Sequence, residues 1–183
     1  MRLFVAVWPP EEVLERVAAL PRPEVRGLRW TSPDQWHVTL RFLGQCEVEE
    51  VERAWEGVAR SPVGRATMGP VTARFGRRIL HVPVDGLASL AAASVAATAD
   101  VGEPPEPRPF SGHITLGRSR LRAGVDLRPL CGVPLAGSWP VQEVTLVASH
   151  LRAGTGGAAR YETVAVLPLG ASGPLGASGP RTS

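Results

Sequence analysis

Two copies of one four-residue pattern constrain this 183-residue chain more than any other feature of its sequence. His37-Val38-Thr39-Leu40 and His113-Ile114-Thr115-Leu116 both read His, β-branched apolar residue, Thr, Leu. Each copy lies in a segment whose alternation of apolar residues predicts a strand, and residues i and i+2 of a strand face the same side. Each strand is therefore predicted to present an imidazole and a hydroxyl together and to bury the apolar residues between them.

Chance is a weak explanation for the pair. A given His is followed by x-Thr-Leu about once in two hundred cases at this composition, so two such matches among the four His residues have a probability of roughly one or two in ten thousand. The structural alternative is that both imidazoles are satisfied in a core. That is less attractive, because both strands place a hydroxyl on the same side as the imidazole.

The charge composition excludes several mechanisms. All 20 basic residues are Arg, the formal net charge is +3, and the sequence contains no Lys. Coding bias in a GC-rich genome explains the missing Lys. Whatever the cause, this chain forms no Schiff base and no lysyl-nucleotide adduct, and it has no P-loop lysine.

Cysteine usage and hydropathy bear on the compartment. Cys46 and Cys131 have no metal-type spacing and are too few for a disulfide framework. The apolar run at 3–8 is too short for a signal peptide, and the Ala-rich segment at 87–99 is too short for a membrane span. We therefore expect a cytoplasmic protein that does not associate with membranes.

The order of the predicted elements indicates an α+β fold with a largely antiparallel sheet rather than a doubly wound one. Strands are predicted around 3–8, 38–44, 71–75, 79–84, 113–116, 142–149 and 161–167, and helices over 11–20, 47–60 and 87–99. The Pro-rich segment 103–109 is predicted to be an extended loop. Residues 170–183 contain Gly-Ala-Ser-Gly-Pro twice and are predicted to be a disordered, low-complexity tail.

The paired motifs favour metal-free chemistry on a phosphodiester. Two imidazoles with pKa values near neutrality can hold opposite protonation states, so that one accepts a proton and the other donates one. Hydroxyls can hydrogen-bond the phosphate oxygens, and Arg can supply compensating charge. A zinc site is a weaker interpretation, because the motifs lack the Cys or carboxylate ligands usual at such sites.

With these motifs, the sequence resembles the two-histidine phosphoesterase superfamily, and within it the RNA 2′,3′-cyclic phosphodiesterases that are also called 2′-5′ RNA ligases. The resemblance extends over residues 1–169 and includes the opening 2–7, Trp30, 41–44, Gly117-Arg118, 145–149 and 161–162. It implies one bilobal α+β domain over 1–169 with pseudo-twofold symmetry, largely antiparallel sheets, flanking helices and a central cleft to which each lobe contributes one motif.

The resemblance also implies residue roles. His37 would be the proton donor to the leaving O3′ and His113 the proton acceptor that activates water, giving an RNA 2′-phosphomonoester without cofactor or metal. Thr39 and Thr115 would bind the phosphate. Arg118 is the best-matched phosphate arginine, although simple strand alternation places it on the face opposite His113.

Other residues near the motifs are weaker candidates. Alternation puts Arg41 on the face of His37 and makes it a lesser phosphate ligand. Phe42 and Phe110 are candidates for base stacking, but alternation directs Phe42 toward the core. His81 and His150 are unpaired and are interpreted as structural or surface residues.

Several functions remain open at this point. The expected partner is RNA or an oligonucleotide with a cyclic phosphate end, the chain is expected to be a monomer, and any ligation would be ATP-independent reversal through the cyclic phosphate. Alternatives are an RNA-binding module without turnover, an enzyme for 2′-5′ oligonucleotides or small cyclic nucleotides, and a nonspecific acid phosphatase or phosphodiesterase that uses a phosphohistidine.

Overall fold

The structure, a computed structural model, describes residues 1–151 and 159–170. In these residues the strands are β1 (Arg2–Val7), β2 (Leu28–Trp30), β3 (Val38–Gln45), β4 (Gly64–Met68), β5 (Ala73–Phe75), β6 (Ile79–Asp85), β7 (His113–Ser119), β8 (Gly137–Val141), β9 (Glu143–His150) and β10 (Arg160–Pro168). The helices are α1 (Glu11–Ala18), α2 (Val48–Ala54), α3 (Glu56–Ala59) and α4 (Ala88–Ala97). The predicted tail lies outside the described residues apart from Gly170.

The strands form a single curled sheet in the order β10-β9-β1-β3-β7-β6-β4-β8, with β2 added to β7 and β5 to β6. Every described strand pair is antiparallel. This confirms the predicted α+β class with an antiparallel sheet.

The pseudo-twofold relation is visible in the order of the elements. β1, α1 and β3 form one strand–helix–strand unit, and β6, α4 and β7 form a second one. Val38 of β3 pairs with Val7 of β1, and Ile114 of β7 pairs with Val82 of β6. The two motif strands therefore occupy equivalent places in the two halves of the sheet, and they meet at its centre.

Helices cover one face of the sheet, and the alternation of β1 shows how the faces divide. Leu3, Val5 and Val7 belong to the main core cluster, together with Val13 and Val17 of α1 and Leu90 of α4. Phe4 and Ala6 point to the other face, where they pack with Val147, Trp8, Phe42 and Tyr161. The helix-covered face supplies most of the core, because the cluster on that face contains most of the buried apolar side chains. Burial of each large apolar side chain contributes about 1.5–3 kcal/mol.

One helix and three strands differ from the predicted elements. The single helix predicted over 47–60 is two helices, α2 and α3, that meet at Trp55. Strands β2, β4 and β8 were not predicted. In β8, Gly137 and Pro140 are residue types that count against a strand. β8 lies at the edge of the sheet, where a proline is tolerated.

None of the helices in the described ranges is long and apolar enough to cross a membrane.

Candidate active site

The two motifs meet at one residue pair. Val38 of β3 pairs with Ile114 of β7, and this pair joins the two halves of the sheet. Because the strands are antiparallel, the register brings His37 beside Thr115 and Thr39 beside His113. Each imidazole thus lies across the strand boundary from the hydroxyl of the other motif.

All five residues predicted for the site line one cleft of about 460 Å³: His37, Thr39, His113, Thr115 and Arg118. The cleft lies on the face away from the helices. Its other described walls include three residues that the sequence did not single out for the site, Arg2, Arg29 and Tyr161. No Asp or Glu is among the described lining residues, and three are Arg, so the cleft is suited to an anion.

A β-bulge in each motif strand decides which later residues reach the cleft. In β7, Thr115 pairs with His81 and Gly117 pairs with Leu80, so Leu116 is an extra residue. One extra residue reverses the alternation that follows it. Arg118 consequently lies on the same side as His113, where simple alternation had placed it on the opposite face.

The same device at the same motif position corrects two expectations in β3. Thr39 pairs with Ala6 and Arg41 with Val5, so Leu40 is the extra residue. Phe42 therefore lines the cleft instead of pointing to the core. Arg41 does not share the face of His37, because it is buried on the helix side, with 4% of its surface exposed, and donates hydrogen bonds to the backbone oxygens of Phe42 and Glu103.

His37 is half-buried in an aromatic pocket. Its ring centroid lies 4.9 Å from that of Phe4, 5.1 Å from that of Trp8 and 5.0 Å from that of Tyr161. This burial lowers the pKa of His37 to about 4; the backbone oxygen of Gln35 opposes the shift, and the charges of Arg118 and His113 add to it. Nδ1 is buried and makes no hydrogen bond to a described residue, since the Gln35 oxygen does not reach hydrogen-bond geometry.

His113 has a different environment and a fixed ring orientation. Its Nδ1 lies 2.8 Å from the backbone oxygen of Ser111, so Nδ1–H donates and Nε2 is left as the acceptor. The pKa of His113 is lowered, first by burial and then by the charges of Arg118 and Arg108, against the raising effect of the Ser111 oxygen. Its ring also contacts Phe75 and His81, at centroid distances of 4.9 and 5.4 Å.

The Thr hydroxyls are free for a ligand, since neither Thr39 nor Thr115 donates a side-chain hydrogen bond to another described residue. The backbone behind Thr115 is braced instead. Thr31 Oγ1 donates to the Thr115 oxygen at 2.7 Å and accepts from Trp36 Nε1 at 3.0 Å. Both motif hydroxyls thus stand on fixed backbone beside the two imidazoles.

Sequence reasoning missed Arg29 because β2 was not predicted as a strand. Arg29 pairs directly with Arg118 across β2 and β7, and its buried Nε has no hydrogen-bond partner among the described residues. Arg2 lies over the ring of Phe42, 4.5 Å from its centroid. Phe110, the other stacking candidate, is 36% exposed and is not among the described cleft residues.

The remaining histidines lie outside the described cleft lining. His81 is buried behind His113, with 5% of its surface exposed, and stacks on Phe75 at a centroid distance of 3.9 Å. His150 lies 3.0 Å from the Glu162 carboxylate at its Nε2. Structural roles for both remain predictions.

The fold and the two-histidine cleft are similar to those of the LigT-like phosphoesterases of the two-histidine phosphoesterase superfamily. The sequence model of that family, described as LigT-like phosphoesterase, matches residues 7–67. No curated protein matches the chain significantly.

Solved structures resemble the whole described fold. The protein TT0787 of Thermus thermophilus is 28% identical, with 94% of this chain and 100% of that chain covered and a TM-score of 0.74. E. coli LigT, crystallised with 3′-AMP, is 29% identical over 92% of this chain and 97% of that chain, with a TM-score of 0.71. The same protein has been crystallised with NADP⁺, and that structure gives a TM-score of 0.68 at 27% identity over 92% of this chain and 98% of that chain.

Proposed function

We propose that this chain is a phosphodiesterase that opens 2′,3′-cyclic phosphate ends of RNA to 2′-phosphomonoesters without metal or cofactor. The observation that carries the proposal is the Val38–Ile114 pair, which brings two His and two Thr side chains together in one cleft. E. coli LigT binds 3′-AMP and NADP⁺, and its likeness to this chain supports a nucleotide ligand for the cleft. The monomeric state and the cytoplasmic location stay predictions.

The reaction needs one proton acceptor and one proton donor on opposite sides of the phosphorus. Nε2 of His113 takes a proton from water, whose oxygen attacks the phosphorus. The bond between phosphorus and O3′ breaks, and His37 gives its proton to O3′, so the phosphate remains on O2′. Thr39, Thr115 and Arg118 hold the non-bridging oxygens as negative charge develops there.

The lowered pKa of His37 means that this imidazole becomes the proton donor only when the substrate binds. With a pKa of about 4, His37 is neutral near pH 7 in the empty cleft. A bound phosphodiester anion favours the charged imidazole, which raises the pKa of His37 toward neutrality. The free protein is thus poised with a neutral base at His113, and substrate binding charges the donor.

The test is turnover of a short RNA with a 2′,3′-cyclic phosphate end in the presence of EDTA, with identification of the product isomer. We expect the 2′-phosphate, a bell-shaped pH–rate profile, and losses of roughly 10²–10⁴-fold in His37→Ala and His113→Ala. His150→Ala is the control, because that imidazole contacts Glu162 and is outside the described cleft lining.

Two results would contradict the mechanism. A 3′-phosphate product would mean that the other phosphorus–oxygen bond breaks. Inhibition by EDTA would mean that a metal ion takes part. RNA binding with no turnover in the wild type would favour the binding-module alternative.

A further inference from the structure

Six arginines converge on one edge of the sheet beside the cleft: Arg29, Arg77, Arg78, Arg118, Arg120 and Arg122. We call this surface the arginine edge. They come from three chain segments that pair with one another. Arg118 pairs with Arg29 of β2 on one side and with Ile79 of β6 on the other. Arg78 comes directly before Ile79 in the chain and therefore lies close to Arg118.

Backbone hydrogen bonds hold the three segments together. Ser119 N–H donates to the Arg78 oxygen at 2.8 Å, and Arg120 N–H donates to the Gly27 oxygen at 2.7 Å. Val125 N–H donates to the Arg77 oxygen at 2.8 Å. The concentration of positive charge is therefore built into the sheet edge.

Nothing described neutralises this charge. None of the six arginines forms an ion pair with a described residue, and the segments 77–78 and 118–122 contain no Asp or Glu. Arg128 chiefly, and Arg77 to a smaller extent, lower the pKa of Asp126, whose carboxylate is already paired with Arg128. Like charges directly opposite each other, as in the Arg29–Arg118 pair, destabilise a sheet unless an anion lies between them.

The edge is continuous with the cleft and carries an aromatic side chain. Arg29 and Arg118 line the cleft itself. Phe75 is 38% exposed, lies two residues from Arg77 in the β5–β6 turn, and contacts the His113 ring at 4.9 Å. Basic side chains interleaved with an aromatic ring are typical of surfaces that bind single-stranded nucleic acid.

We propose that the arginine edge binds the phosphate backbone of the RNA on the 5′ side of the cyclic end, so that oligonucleotides are preferred to mononucleotides as substrates. This inference rests on the proposed function for the identity of the reacting end. The ordinary alternative is a solvated charged face, and small cyclic nucleotides would then be equally good substrates.

The test compares two triple variants with the same change in net charge. Arg77→Gln/Arg120→Gln/Arg122→Gln removes three exposed side chains of the arginine edge that make no described side-chain hydrogen bond. Arg16→Gln/Arg53→Gln/Arg60→Gln removes three exposed arginines on the helix side. Each is measured for turnover of 2′,3′-cyclic AMP and for binding of a labelled single-stranded RNA of about ten nucleotides by fluorescence anisotropy.

We expect the arginine-edge variant to keep wild-type turnover of 2′,3′-cyclic AMP and to lose roughly 10-fold in RNA affinity at low salt. The slope of log Kd against log salt concentration should be flatter by about 2. The helix-side variant should match the wild type in both assays. Equal RNA affinity in all three proteins, or an equal loss in both variants, would overturn the inference. Because RNA binding is measured without turnover, these outcomes are independent of the hydrolysis of 2′,3′-cyclic AMP. Failure of the wild type to hydrolyse 2′,3′-cyclic AMP would count against the proposed function instead.

Discussion

At the scale of single residues, His81 is the imidazole that the proposed mechanism does not use. It is buried between Phe75 and His113, and its Nδ1 has no hydrogen-bond partner in the described part of the chain. Burial, with a smaller effect from the charge of His113, lowers the pKa of His81 to about 4. The folded state therefore binds this proton more weakly than the unfolded state, whose His has a pKa near 6.5.

The sign of the pH effect follows from that difference. The stabilising contribution of neutral His81 is complete above pH 6.5 and is lost as the pH falls toward 4, because the unfolded chain takes up the proton first. We expect His81→Phe, which keeps the ring stacked on Phe75, to lose about 2 kcal/mol less unfolding free energy than the wild type between pH 7 and pH 5. Urea unfolding at the two pH values measures this. Parallel pH dependences of the two proteins would contradict it.

At the scale of elements, the two bulges explain which cleft residues strand alternation could predict and which residues it placed on the wrong face. The alternation of apolar residues predicted both motif strands, and the hydroxyl two residues after each His does line the cleft. The bulge at each motif Leu is invisible to alternation, because an apolar residue there fits the core in either register. That is why Arg118 was placed on the wrong face and why Arg41 and Phe42 exchanged their expected positions.

The bulges also predict opposite consequences for two arginines. Arg41→Met removes a buried guanidinium that ties β3 to the backbone of Glu103, so we expect a loss of about 2 kcal/mol in unfolding free energy. Arg118→Met alters an exposed cleft residue that lies opposite Arg29, so stability should not fall, while kcat/KM for the cyclic phosphate falls roughly 100-fold. Thermal unfolding and initial rates on the same preparations distinguish the two. An Arg41→Met protein with wild-type stability and impaired catalysis would refute the assignment of faces.

At the scale of the whole molecule, the predictable part of the site was the part repeated within the sequence. The duplicated motif identified both imidazoles and both hydroxyls, and the antiparallel α+β class followed from the order of the elements. Arg29 and Tyr161 could not be found in this way, because they reach the cleft from β2 and β10, far from either motif in sequence. Only the pairing of β2 with β7 and of β10 with β9 brings them near the histidines.

The composition of the whole chain sets the terms of any ligation. With no Lys in the sequence, no lysyl-nucleotide intermediate can form, so joining must follow the course of the proposed cleavage with a 5′-hydroxyl in place of water. A 5′-hydroxyl would attack the cyclic phosphate, the bond from phosphorus to O3′ would break, and O3′ would take up the proton, leaving a 2′-5′ linkage. One phosphorus–oxygen bond forms as one breaks, so no nucleotide triphosphate is needed.

We therefore expect concentrated RNA ends, one with a 2′,3′-cyclic phosphate and one with a 5′-hydroxyl, to give a 2′-5′ product whose yield is unchanged by added ATP. Gel analysis of the joined strand measures the yield, and radiolabelled ATP should leave no label on the protein. The His37→Ala and His113→Ala proteins should fail to join the ends, because joining needs the same two imidazoles, one to accept the proton of the 5′-hydroxyl and one to protonate O3′. Joining that requires ATP, or that survives the loss of both imidazoles, would show that ligation does not proceed by attack of the 5′-hydroxyl on the cyclic phosphate in this cleft.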